Sequence, residues 1–174
     1  MKFDPEKSID ILSRTPDVLT AMLWDIADDW ALQNEGGDSF SPYDVIGHLV
    51  HGEKTDWTVR MEIILSDKRD KTFEPYDRFA QYSLSKGKTL QQLLTEFKTL
   101  RAANMDLLRS KQLSEQDFLK TGIHPAFGSV SLEQLLSAWT VHDLGHIAQI
   151  CRVMAKQYKD AVGPWLAYLP VLSR

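Results

Sequence analysis

Apolar residues recur at helical spacing along most of the chain. Ile9, Leu12, Leu19, Met22, Leu23 and Ile26 predict a first helix. Thr15-Pro16 is expected to interrupt it, with Pro16 starting a new turn or kinking the helix, because proline has no N–H to donate. Gly36-Gly37 and their polar neighbours mark a loop. Ser41-Pro42-Tyr43-Asp44 then opens a second helix: Ser41 can cap, Pro42 suits the first helical position, and Asp44 lies in the favourable first turn. Val45, Leu49, Met61, Ile64 and Leu65 carry that helix to about residue 66. Residues 67–88 are polar, contain Pro75 and Gly87, and predict a long connection of the kind that is often functional.

Thr89 and Gln92 form a capping box for a third helix containing Leu90, Leu93, Leu94, Phe97, Leu100 and Leu107. Ser114 to Leu119 suits a short helical turn, and His124-Pro125-Ala126-Phe127-Gly128 a loop. A second capping box, Ser131 with Gln134, opens a fourth helix to about Tyr158. Gly163-Pro164 ends the pattern, and the apolar tail WLAYLPVL is expected to pack back on the bundle. Almost nothing reads as strand. Four long helices imply an all-α, four-helix bundle, and the long connections after the second helix and before the fourth leave its chain order open.

The length of 174 residues suits one domain, 1–174, with a core that needs no staples. The sequence is 43% hydrophobic and 25% charged, an ordinary globular composition. Twenty Lys and Arg against 24 Asp and Glu give a formal net charge of −4, which argues against nucleic acid as a partner. Lys68, Arg69, Lys71 and Arg78 are basic, but Asp67, Asp70, Glu74 and Asp77 interrupt them, so the segment reads as a solvated loop. The N-terminus lacks a signal-peptide run, no apolar stretch approaches the roughly 20 residues of a membrane span, and Cys151 is the single cysteine. A cytoplasmic setting without membrane contact is the simplest expectation.

The chemistry concentrates in histidines. His142 and His146 are one turn apart on one face of the fourth helix. Two imidazoles so placed can hold one cation, as in metalloprotease helices, but those have Glu after the first His, whereas Asp143 stands here. Five histidines in 174 residues produce such a pair by chance about one time in ten, so spacing alone also fits two ordinary helix histidines. His48 adds weight. It is embedded in an apolar stretch of the second helix, and Gly47 and Gly52 beside it would admit a close neighbour. A buried histidine must satisfy both ring nitrogens, which a metal plus an acceptor does. Three histidines leave coordination positions open, as catalysis requires.

Cys151 falls on the opposite face from His142 and reads as core. Gln149 shares the histidine face and could bond a metal-bound water. His51 is expected to be exposed, or else to support a ligand from behind; His124 is expected to serve a turn, or else to line the entrance; Trp139 is expected to pack in the core.

The segments SPYDVIGHLVHGE (41–53), FEPYDRFA (73–80) and HPAFGSVSLEQLLSAWTVHDLGHIAQICRV (124–153) resemble the DinB-like superfamily, which includes YfiT-type metal-dependent hydrolases. The resemblance implies an up-down-down-up bundle and a metal site of His48, His142 and His146 holding nickel or zinc. It also implies a homodimer. It does not imply one reaction: relatives include transferases and isomerases that use low-molecular-weight thiols such as mycothiol or bacillithiol.

The expected function is therefore that of a metal-dependent enzyme. It would be either a hydrolase or a thiol-dependent S-transferase acting on a small-molecule substrate. A bound ion lowers the pKa of water or a thiol in either case. No Ser-His-Asp or Cys-His pattern offers a covalent alternative. A non-catalytic metal-binding or stress-response module is the second expectation, and a bundle without metal the third.

Overall fold

The computed structural model describes residues 2–173. Helix α1 (Pro5–Leu23) starts at Asp4, whose carboxylate caps the backbone of Glu6 and Lys7. Pro16 lies inside it, so the helix is not interrupted there as the sequence suggested it could be. Proline at this position removes the N–H that would bond the carbonyl of Leu12. Arg101 replaces it, its Nη1 donating to Leu12 O at 2.7 Å. A short helix α2 (Asp28–Leu32) follows, unanticipated from the sequence.

The second predicted helix is present in two pieces, α3 (Pro42–Thr55) and α4 (Trp57–Leu65). Asp56 separates them with φ −115° and ψ −79°. Helix α5 (Ala80–Ser85) lies within the connection, α6 (Leu90–Ser110) starts at the Thr89–Gln92 capping box, and α7 (Glu115–Phe118) is one turn. Strands β1 (Thr121–His124) and β2 (Gly128–Ser131) form an antiparallel hairpin that the sequence pattern did not predict. Four-residue strands show too little alternation to register as such. The predicted 124–128 loop is its tip, with Gly128 at φ +73°. Helix α8 (Leu132–Lys156) starts at the Ser131–Gln134 capping box, and two 3-10 turns complete the described chain. Leu172 packs the tail down, whereas Trp165 and Tyr168 are exposed.

Two apolar layers give the helix directions. The upper layer holds Leu19 and Leu23 of α1, Val45 to Val50 of α3, Leu90 to Phe97 of α6 and Ile150 of α8. The lower holds Leu12, then Trp57, Met61 and Ile64 of α4, Met105 and Leu108 of α6, and Leu132 to Trp139 of α8. So α1 runs up, α3–α4 down, α6 down and α8 up. Ion pairs agree: Lys54–Glu96 and Glu62–Lys111 join parallel helices, while Asp17–Lys98 lies between antiparallel ones. No described helix is long and apolar enough to cross a membrane.

Two parallel neighbours in sequence need a connection that climbs back along the bundle. Residues 67–88 do this beside α3. Phe73 N bonds Ile123 O of β1 near the bottom. Asp77 O meets His51 higher up, and Tyr43 Oη donates to Ser85 O and Lys88 O at the top. Gly47 makes the climb possible: a Cβ there would collide with Gln81 and Ser85 of α5.

Candidate metal centre

His48 is held two turns into α3, and α8 presents His142 and His146 one turn apart. These residues are 94 positions apart in sequence, yet His48 Nε2 lies 3.1 Å from His142 Nε2. His146 Nε2 lies 3.0 Å from the same atom. The ligand atoms all fall within 4.8 Å of one another, close enough to hold one metal ion.

The hydrogen-bond chemistry is one-sided. Gln149 Oε1, which can only accept, is 2.9 Å from His146 Nδ1, so the proton sits on Nδ1 and the Nε2 lone pair faces inward. Tyr76 Oη is 3.3 Å from His48 Nδ1 and can accept from it in the same way. His142 Nε2 is a single donor or a single acceptor, so it cannot satisfy both neighbours. Inward lone pairs in a buried site are what a cation would satisfy. Burial pushes His48 down to about 3, helped by the charges of His146 and His142. Burial and His142 push His146 down to about 4. His48 and His146 are thus held neutral, the form that ligates.

Behind the histidines lies a polar cluster absent from the sequence reading. Arg101 is 1% exposed, and its guanidinium bonds Glu53 Oε1 at 2.7 Å and Asp143 Oδ1 at 3.1 Å. Asn104 Nδ2 donates to Glu53 Oε2 at 2.9 Å. Glu53 is five residues past His48 and Asp143 directly follows His142, so the cluster ties both histidine-bearing helices to α6. Asp143 Oδ1 stands 4.0 Å from His142 Nδ1. A signal was present: Arg101 occupies an apolar-face position of α6, in register with Phe97 and Met105.

A cavity of about 680 Å³ opens onto the histidines. Its walls include Phe40, Tyr76 and Arg78, Asp56 and Arg60 of α4's start, and the hairpin tip from His124 to Phe127. Asp56 pairs with Arg60 at 2.7 Å, and burial raises its pKa. His124 lines the entrance and stacks on Phe127, so its turn also serves the cavity. Gln149 lines the cavity too, but its oxygen is committed to His146. Trp139 is core, as expected. His51 is buried, not exposed: its ring packs on Tyr76 and its Nε2 is 3.2 Å from Asp77 O. Cys151 is only half-buried and lies outside the cavity lining.

A family model described as the DinB superfamily matches residues 11–150. The chain belongs to the DinB superfamily. Among solved structures this DinB-superfamily chain is similar to YfiT from Bacillus subtilis. That protein is described as a probable metal-dependent hydrolase with an unusual four-helix bundle topology. The identity is 21%, the TM-score 0.73, and the match covers 90% of this chain and 89% of that one. The likeness establishes the bundle fold. No curated protein matches the chain.

Proposed function

We propose that His48, His142 and His146 hold one divalent metal ion and that the protein is a metal-dependent enzyme. The observation carrying this is the convergence of three imidazole Nε2 atoms at the floor of a substrate-sized cavity. Nickel and zinc both suit an imidazole set. Such an ion, when bound, supplies Lewis-acid activation of water or a thiol.

The chain's own residues have separable tasks. Gln149 and Tyr76 fix the tautomers of His146 and His48. Glu53, Arg101 and Asp143 brace the helices that carry the ligands. Among the described residues Asp56 is the one carboxylate lining the cavity, and it can accept a proton from a nucleophile held there. Phe40, Tyr76 and Phe127 give the cavity aromatic surface against which a substrate can pack. Among the described residues no cysteine or serine lines the cavity, which favours hydrolysis by water or attack by an exogenous thiol over a covalent enzyme intermediate. A purely non-catalytic metal module would have no use for the cavity beside the histidines. YfiT's description as a probable metal-dependent hydrolase supports the hydrolase branch.

Metal analysis of gently purified protein is the direct test. One equivalent of a divalent ion is expected in the wild type, and less than a tenth of that in His142→Ala. Metal-free wild type after exposure to nickel and zinc would falsify the proposal. Loaded protein is then assayed against esters and amides, and against thiols paired with epoxides or alkyl halides. Turnover in one panel assigns the branch.

A further inference from the structure

Three charged side chains line the cavity: Asp56, Arg60 and Arg78. Asp56 and Arg60 form an ion pair with each other, at 2.7 Å. Arg78 is different. It makes no ion pair or hydrogen bond among the described residues. It is held by aromatic rings instead, with its Cζ 5.3 Å from the Phe40 centroid and 4.9 Å from that of Phe79. Tyr82 braces both rings, edge-on to Phe40 and stacked on Phe79. A guanidinium held over aromatic faces keeps its charge and its in-plane N–H groups. These donors remain available on the wall of a cavity whose floor carries the three histidines.

Resting on the metal centre proposed above, we propose that Arg78 is a substrate-binding residue and that the substrate is a small organic carboxylate. Its carboxylate would take the Arg78 fork while its reacting group lies toward the histidines. Planar bidentate pairing is the geometry a guanidinium offers a carboxylate. Asp56 already neutralises Arg60, so Arg78 is the uncompensated side-chain cation on the wall, and its planar fork matches the two coplanar oxygens of a carboxylate better than the tetrahedral oxygens of a phosphate. The walls that would contact the rest of the molecule are apolar and aromatic, namely Phe40, Pro75, Tyr76 and Phe127. Arg78 lies in the connection, two residues beyond Tyr76, so one segment both orients His48 and reads the substrate.

The test is a binding titration followed by tryptophan fluorescence or amide chemical shifts. Succinate is the probe, with its uncharged diamide and inorganic phosphate as comparisons. Zinc-loaded and metal-stripped protein are both titrated, as wild type, Arg78→Gln and Arg78→Lys. Wild type should prefer succinate to the diamide in both forms. Arg78→Gln should weaken succinate roughly tenfold or more, with unchanged zinc content and circular dichroism. Arg78→Lys, which keeps the charge but not the fork, should recover part of the loss. Equal affinity in Arg78→Gln and wild type overturns the proposal, as does equal binding of succinate and diamide by wild type. Tighter binding of phosphate than of succinate overturns the carboxylate assignment. If wild type retains no zinc yet stripped protein shows the Arg78-dependent preference, the metal centre fails and the carboxylate site stands.

Discussion

Two neutral imidazoles buried against a third set how the site responds to acid. His48 and His146 titrate at about 3 and about 4 when folded, against 6.5 for a free side chain. Their folded values are depressed, so the unfolded chain takes up protons first as pH falls. Metal-stripped protein should therefore hold its full stability above pH 6.5 and lose it progressively from there toward pH 4 and then 3. The loss is up to about 1.4 kcal/mol per pH unit for each histidine. Urea midpoints measured from pH 7.5 to 4 check this, and a flat profile contradicts it. The three histidines were legible as candidates: the 142/146 spacing suggested a pair, the apolar setting of His48 added a third, and the family resemblance joined them. Tyr76, Asp56 and Arg78 were not. Nothing in a polar, charge-mixed stretch marks which side chains turn inward, and that choice is made by the fold.

At the scale of elements, one buried guanidinium does several jobs. Arg101 bonds Glu53 of α3, Asp143 of α8 and the α1 carbonyl that Pro16 leaves without a donor. This is why α1 runs on where the sequence predicted an interruption: the missing N–H is supplied from another helix, 85 positions later by the residue numbers. Arg101→Met should destabilise the protein by about 3–5 kcal/mol, because two carboxylates remain buried without their cation. Denaturant unfolding measures that loss. A drop below about 1 kcal/mol would show that the carboxylates find other partners or protonate cheaply. The four long helices and the caps at Ser41, Thr89 and Ser131 were readable because caps and 3.6-residue periodicity are written locally. The hairpin and α2 were not, since each is too short to show a period and depends on what it packs against.

For the molecule as a whole, the two apolar layers run through all four long helices, so we propose that residues 1–174 fold as a single domain with one cooperative transition. The proposed ligands join α3 to α8 across the bundle, and an ion there would stabilise the folded state alone. At free metal about 100-fold above its dissociation constant the gain is about 2.7 kcal/mol, or roughly 5–10 °C in Tm for a chain of this size. Scanning calorimetry with and without zinc should show that shift in wild type and not in His142→Ala. The bundle's chain order was carried by the family resemblance. Periodicity does not encode direction; layer membership near both ends of each long helix does, through Leu12 and Leu23 of α1, Val45 and Trp57 of α3–α4, Phe97 and Met105 of α6, and Trp139 and Ile150 of α8. That order has a further consequence. Because α3–α4 and α6 descend side by side, the chain must return along the outside of α3, and its return path forms the cavity wall. The architecture is thus modular: a rigid bundle carries the histidines, while an exchangeable strap carries Tyr76 and Arg78. Rewriting the strap could redirect the choice of substrate while leaving the three histidines where they are.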